Sequence, residues 1–192
     1  MSSVILRQWR DSDFVPYFEM NTDPEVMRHF PAVLTKQEAS ASFARLRNEI
    51  EKRGWGVWAV EVDGALAGMT GLWIPRFSAP FMPCTEILWR FRRQFWSRGL
   101  AYAAAVQALV YGFSTLRLTE IVAYTAASNL RSIRLMERLD FIRDLAGDFE
   151  HPGVPQGNPL RHHVLYRKRP SHSPDPTPAS VTSAAGQPTR QP

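Results

Sequence analysis

Phe95-Trp96-Ser97-Arg98-Gly99-Leu100-Ala101-Tyr102-Ala103-Ala104-Ala105 sets an arginine- and glycine-containing turn directly before an alanine-rich run of strong helix formers. The first turn of a helix leaves backbone N–H groups without intrahelical partners and carries the positive end of the helix dipole, so the oxygens of an anion can complete it. Gly99 lets a ligand approach the backbone closely. Arg90, Arg92, Arg93 and Arg98 surround the turn and no acid lies between Glu86 and Glu120, so the local field favours a phosphorylated ligand.

Outward from this turn the pattern alternates. Upstream, residues 84–91 read as a strand, with Ile87, Trp89 and Phe91 on one face and Glu86, Leu88 and Arg90 on the other. Downstream come a helix over 99–114, a strand over 120–125, and a segment from Ala127 to Phe141 that starts on Ser128-Asn129 and has helical spacing. Nearer the amino terminus, Val4 to Trp9 is a strand, and Asp11 or Ser12 can cap a helix through about Asn21. Thr35-Lys36-Gln37-Glu38 has capping-box spacing and predicts a helix to about Arg53. Residues 55–62 and 66–74 form a hairpin across Asp63-Gly64. After Phe141 the pattern loosens until residues 161–168, where apolar and polar residues alternate as in a final strand.

The chain has 192 residues, 44% of them hydrophobic, which suits one core and is too short for two ordinary domains. Residues 1–169 are expected to form that domain. Residues 170–192 turn to Ser, Pro, Thr, Ala and Gly, a composition too poor in large apolar side chains to offset the entropy of ordering, and are expected to be a disordered tail. No apolar run is long enough for a membrane span and no signal-peptide order opens the chain, so a cytoplasmic location is the default. The single cysteine, Cys84, excludes an internal disulfide and a zinc-finger spacing. The net charge of +5 does not read as a nucleic-acid footprint: residues 1–50 hold six Lys or Arg against seven acids, and the surplus gathers near the phosphate turn.

The order strand, phosphate turn, helix, strand and Asn-x-x-Ser helix resembles the GCN5-related N-acetyltransferase (GNAT) superfamily, in particular a bacterial branch similar to ribosomal-protein N-terminal acetyltransferases. The resemblance runs from Val4 to Lys168 and includes Leu6-Arg7-Gln8-Trp9-Arg10-Asp11 and Asp23-Pro24-Glu25-Val26-Met27. Of the superfamily's Gln/Arg-x-x-Gly-x-Gly/Ala motif, Gly99-Leu100-Ala101 meets the second half, whereas Trp96 stands at the first position and Ser97 replaces the first glycine of a Trp-Gly-x-Gly turn. The resemblance implies an α/β (α+β) fold with a mixed, largely antiparallel sheet flanked by helices, whose 84–91 and 120–125 strands splay apart. It implies acetyl-CoA as acyl donor and no metal. The positions implied to hold the donor are Leu88, Arg93, Ser97, Arg98, Gly99, Leu100, Ala101 and Asn129.

Acyl transfer to an amine sets the remaining roles. An α-amine of pKa about 8 is roughly a tenth neutral at pH 7, while a lysine of about 10.4 is almost wholly charged, so a low-pKa amine needs less help. Glu86 is the candidate base, acting through water; the competing reading is an exposed strand glutamate paired with Arg90 or Arg92. The backbone N–H of Leu88 is the candidate oxyanion donor. Ser132 is the matching position for the family's acid, with helix capping as the alternative, and capping is favoured for Asn129 with a pantetheine contact added. His162 and His163 are placed to line the acceptor pocket. Residues 148–152 read as a loop where substrate selection resides or as a surface turn. The acceptor is a protein N-terminus or a small-molecule amine; neither nucleic acid nor membrane is expected as a partner, and a homodimer stays open. A CoA-binding regulatory or structural module without catalysis is the alternative, kept open by Trp96 and Ser97.

Overall fold

Thr35 closes the start of the longest helix by the reciprocal pair its spacing predicts. The Glu38 N–H donates to Thr35 Oγ1 at 3.2 Å and the Thr35 N–H to the Glu38 carboxylate at 2.8 Å. That helix, α2, spans Lys36–Arg53 and stops where Gly54 turns left-handed. Asp63 and Gly64 both take positive φ, 51° and 78°, which suits the twist of a two-residue hairpin between β2 (Val57–Val62) and β3 (Ala65–Trp73). In the computed structural model, which describes residues 3–170, the other elements are β1 (Val4–Arg7), α1 (Phe14–Thr22), β4 (Glu86–Phe91), α3 (Leu100–Val110), β5 (Ile121–Ala126), α4 (Leu130–Arg138), β6 (Ile142–Glu150) and β7 (His162–Lys168). The expected tail lies, beyond Pro170, outside the described residues. Among these residues no helix is long and apolar enough to cross a membrane.

One seven-stranded sheet runs in the order β1-β2-β3-β4-β5-β7-β6. Neighbours are antiparallel except β4 and β5, which are parallel and paired only at Glu86 and Val122. Beyond that pair the two strands part, as the resemblance implies. Apolar layers cover both faces. Leu72, Ile87, Ile121, Met136 and Tyr166 pack with α3 and α4, while Trp9, Tyr17, Met20, Phe43 and Val57 pack under α1 and α2. The sheet is therefore covered on both faces, with the β4–β5 gap opening inside it.

Two expectations need correction. A strand, β6, occupies Ile142–Glu150, where the pattern loosens, and it takes in Asp148, Phe149 and Glu150 of the expected loop. It is an edge strand whose register on β7 breaks between Asp144 and Phe149, and Ile142 and Leu145 are 76% and 77% exposed, so no alternation survives in its sequence. Polar contacts from β7 hold it instead: Arg167 donates to Asp144 at 2.6 Å and the Leu165 N–H to Asp148 at 3.1 Å. The 127–141 segment is helical only over α4, with Leu139 and Asp140 forming the turn into β6.

Candidate functional site

The β4–β5 gap opens into a cavity of about 930 Å³. Its walls come from the α1–α2 loop (residues 25–31), the β4 face, the turn before α3, the start of α4 and the β6–β7 connection. The backbone of β4 aims alternate polar groups into the gap. The Arg92 N–H bonds Ala67 on β3, whereas the Thr85 carbonyl accepts from Val122 on β5. With an unbroken antiparallel register on β3, this alternation turns Leu88 toward β3 and the N–H groups of Ile87 and Trp89 toward the gap. The Leu88 side chain lines the cavity, but its N–H is not the donor the sequence reading chose.

At one end stands the phosphate turn. Ser97 and Gly99 take φ of 59° and 74°, and a Cβ on Gly99 would meet nothing within 4 Å, so the turn opens toward solvent. Gly99 precedes α3 directly, leaving the N–H groups of Leu100 and Ala101 at a free helix end beside the cavity they line. Trp96 anchors the turn from below: its indole N–H donates to the Phe91 carbonyl at 2.8 Å, and the Arg131 guanidinium lies 4.5 Å from its ring centroid. An aromatic ring at this position thus has a fixed structural role.

The expected ring of four arginines does not form. Arg92 pairs with Glu19 at 2.9 Å, Arg90 bonds Asn21 across the sheet face, and Arg93 reaches Asp23 at 4.0 Å. Strand alternation separates Arg90 from the turn, because it shares a face with Glu86 and Leu88. Arg98 stays at the turn, 5.6 Å from the Phe95 ring centroid. Positive charge comes instead from Arg131, Arg134 and Arg138 of α4, all lining the cavity. Sequence reasoning missed them, although their spacing of three and four residues marks one helical face.

At the other end the site is buried. Glu86 is 8% exposed and accepts a hydrogen bond from the Tyr124 hydroxyl at 2.5 Å. Burial raises its pKa to about 8, against the lowering effect of the Tyr124 bond. Neither Arg90 nor Arg92 pairs with it, which removes the surface ion-pair reading. Tyr124 went unremarked in the sequence, where it is one more alternating strand residue; its own pKa is driven upward by burial and by Glu86. Beside it His151 and His163 stand with ring centroids 4.8 Å apart, both lining the cavity. Burial lowers both pKa values, that of His151 to about 4. The Arg161 carbonyl can only accept, so His163 Nδ1 at 3.1 Å carries the proton and Nε2 keeps a lone pair. His151 is the reverse, its Nδ1 accepting from the Gly153 N–H at 3.0 Å. His162, expected beside His163, points instead toward Glu150, at 3.3 Å.

Near the start of α4, Asn129 accepts from the Ser132 N–H at 3.3 Å and donates to Thr125 Oγ1 at 2.9 Å, so its oxygen caps the helix and its nitrogen ties that cap to β5. Ser132 lines the same cavity as Glu86. Cys84 is half-buried, with its thiol pushed up to about 11, chiefly by burial, which leaves it inert as a nucleophile at neutral pH. Among the described residues no group of three or more His, Cys, Asp or Glu is placed to hold a metal ion.

Known proteins share this fold. The acetyltransferase (GNAT) domain family matches residues 3–142. The uncharacterized N-acetyltransferase YnaD of Bacillus subtilis (strain 168) is 24% identical over 156 residues, covering 81% of this chain and 86% of its own. A GNAT-family acetyltransferase from Bacillus anthracis superposes with a TM-score of 0.69 at 25% identity, over 88% of this chain and 96% of that one. A spermidine N-acetyltransferase from Vibrio cholerae, solved with CoA and spermine, shares the fold with a TM-score of 0.67 at 18% identity, over 86% and 95% of the two chains.

Proposed function

This chain belongs to the GNAT acetyltransferase family and is an N-acetyltransferase, and we propose that it moves the acetyl group by direct attack of a primary amine on acetyl-CoA, with Glu86 as base. The observation that carries the reading is the buried Glu86, hydrogen-bonded by Tyr124, at the closed end of a gap whose open end is the phosphate turn. Acetyl-CoA supplies an activated acyl thioester. The residues fit its phosphates: the open Gly99 and the free start of α3 accept oxygens closely, Ser97, Leu100, Ala101 and the α4 arginines surround the same mouth, and Arg98 lies in the turn itself, against the Phe95 ring. Arg93 stands outside that set by its pairing with Asp23.

Trp89 takes the donor role first given to Leu88, since its N–H faces the gap where the thioester carbonyl would lie and nothing on β5 pairs with it there. Glu86 accepts the amine's proton directly or through one water. A carboxyl near 8 is about a tenth ionised at pH 7, and once ionised it is a far stronger base than an exposed glutamate. Ser132 would return a proton to the leaving thiolate, a modest aid because a thiol's pKa is about 8.5. Asn129 holds the α4 start in register. The acceptor is a small-molecule amine or a protein N-terminus, the latter favoured by the resemblance to the ribosomal-protein branch.

Calorimetric titration with acetyl-CoA, set against Gly99→Asp and Glu86→Gln, tests this. Micromolar binding that Gly99→Asp strongly weakens and Glu86→Gln preserves is expected. An absence of binding by the unaltered protein would sink the transferase reading.

A further inference from the structure

We infer that the acceptor of this enzyme carries a carboxylate besides its amine and that Arg90 receives it, an inference that rests on the placement of the reacting groups proposed above. Arg90 shares the β4 face of Glu86 and Leu88 and lines the same cavity. Its Nη1 donates to the side-chain oxygen of Asn21, a fully buried residue whose amide nitrogen is fixed on the Tyr17 carbonyl at 2.7 Å. Its guanidinium lies 4.0 Å from the centroid of the Phe30 ring. Its Nε is enclosed with no hydrogen-bond partner.

Among the described residues no carboxylate pairs with this cation. The acids of the neighbouring helix and loop are engaged elsewhere, Glu19 with Arg92 at 2.9 Å and Glu25 with Arg28 at 2.6 Å. Asn21 orients the guanidinium but cannot neutralise it. A partly buried cation with an enclosed Nε and no counter-charge is costly to hold, and a ligand anion would reduce that cost. Burial lowers the Arg90 pKa to about 10, so the group stays charged at neutral pH. One guanidinium offers one charge and a planar fork, which matches a carboxylate better than a doubly charged phosphate.

The rest of the lining agrees. Its acids are Glu25, tied to Arg28, and Glu86, largely neutral at pH 7. A polycationic acceptor would find Glu25 alone, already paired with Arg28. The strand rise puts Arg90 about 7 Å from Leu88 and about 13 Å from Glu86 along β4, so amine and carboxylate should be separated by several bonds rather than share one carbon.

The full chain, loaded with CoA, is titrated calorimetrically with ω-amino acids of about three to six carbons, a range set by that spacing, and with the corresponding ω-amino amides. At least one carboxylate is expected to bind about tenfold or more tighter than its amide, the effect of one charge-assisted pair. Arg90→Gln should bring that ratio to about one while leaving acetyl-CoA affinity within about twofold. Equal binding of acid and amide, no binding of any carboxylate, preferred acetylation of spermidine, or an Arg90→Gln loss confined to acetyl-CoA affinity would each overturn the inference. If Arg90→Gln does not fold, the acid-to-amide ratio of the unaltered protein decides it. Acetyl-CoA binding without a carboxylate preference removes only this inference, whereas loss of acetyl-CoA binding itself removes the transferase reading beneath it.

Discussion

The two ends of the cleft are built by opposite means. The phosphate end has a local core, the turn and helix start of residues 96–101, and the cations that α4 adds to it are arginines, charged at every physiological pH. The acceptor end gathers Glu86, Tyr124, His151 and His163 from four separate places in the chain, and its groups are buried and titratable. An invariant ligand part such as a pyrophosphate can be met by backbone and permanent charge. Proton transfer needs groups whose ionisation the fold itself sets, and only tertiary burial sets it. Salt should therefore act on the first end and pH on the second.

The sharpest way to break this contrast is to remove the acceptor-end carboxyl. Glu86→Gln is expected to lower kcat by about 10²–10⁴, the range of general-base catalysis, with acetyl-CoA affinity unchanged in a calorimetric titration. A matching loss of acetyl-CoA affinity would mean that the two ends are not separate. Gly99→Asp tests the other end. At φ +74° a side chain is strained, and its charge would face the donor's phosphates. Acetyl-CoA affinity should drop by about one to two decades, and the melting temperature by only a few degrees, because the added Cβ meets no neighbour and the cost is confined to the left-handed backbone.

The same contrast explains what the sequence could disclose. The phosphate turn, the Thr35 cap, the Asp63-Gly64 hairpin and the β4 faces are visible because each rests on residues within a few positions of one another. Arg90 and Arg92 stand near the turn in sequence but not in space, because strand alternation and the pairing with Glu19 carry them away from it. Tyr124 was invisible because its partner lies 38 residues away. β6 was invisible because its polar residues bond β7, not solvent, so hydrophobic periodicity carries no trace of it. Glu86 lies in the cleft, on the strand face its spacing gives, but its ionisation follows from burial that no spacing encodes.

Tyr124→Phe sharpens the acceptor end by a smaller change. The Tyr124 hydrogen bond lowers the Glu86 pKa against the rise caused by burial, so its loss lets the pKa climb. Because the base is the ionised form, kcat should rise with pH through about 8 in the parent, and that limb should move to higher pH in the variant. At pH 7 this costs several-fold in kcat, while at high pH the two enzymes converge. A parallel drop at every pH would instead make Tyr124 a positioning group without influence on the proton.

The smallest effect is on stability, and it separates the two ends without any substrate. Glu86 has its pKa raised from 4.5 to about 8, so between these values the folded protein holds the proton more tightly and stability falls as pH rises. His151 has its pKa lowered from 6.5 to about 4, so between those values the unfolded chain holds the proton more tightly and stability falls as pH drops. The two oppose each other from 4.5 to 6.5, leaving an alkaline slope that belongs to Glu86 and an acid slope to which His151 contributes. Urea unfolding across pH 4–9 should show Glu86→Gln flattening the alkaline side and His151→Asn reducing the acid side. Arg131→Gln, at the phosphate end, should leave the shape of the curve alone, because its partner Trp96 does not titrate. A change of shape in that variant would mean that the acceptor end's burial depends on the phosphate end, and that the cleft is one cooperative unit.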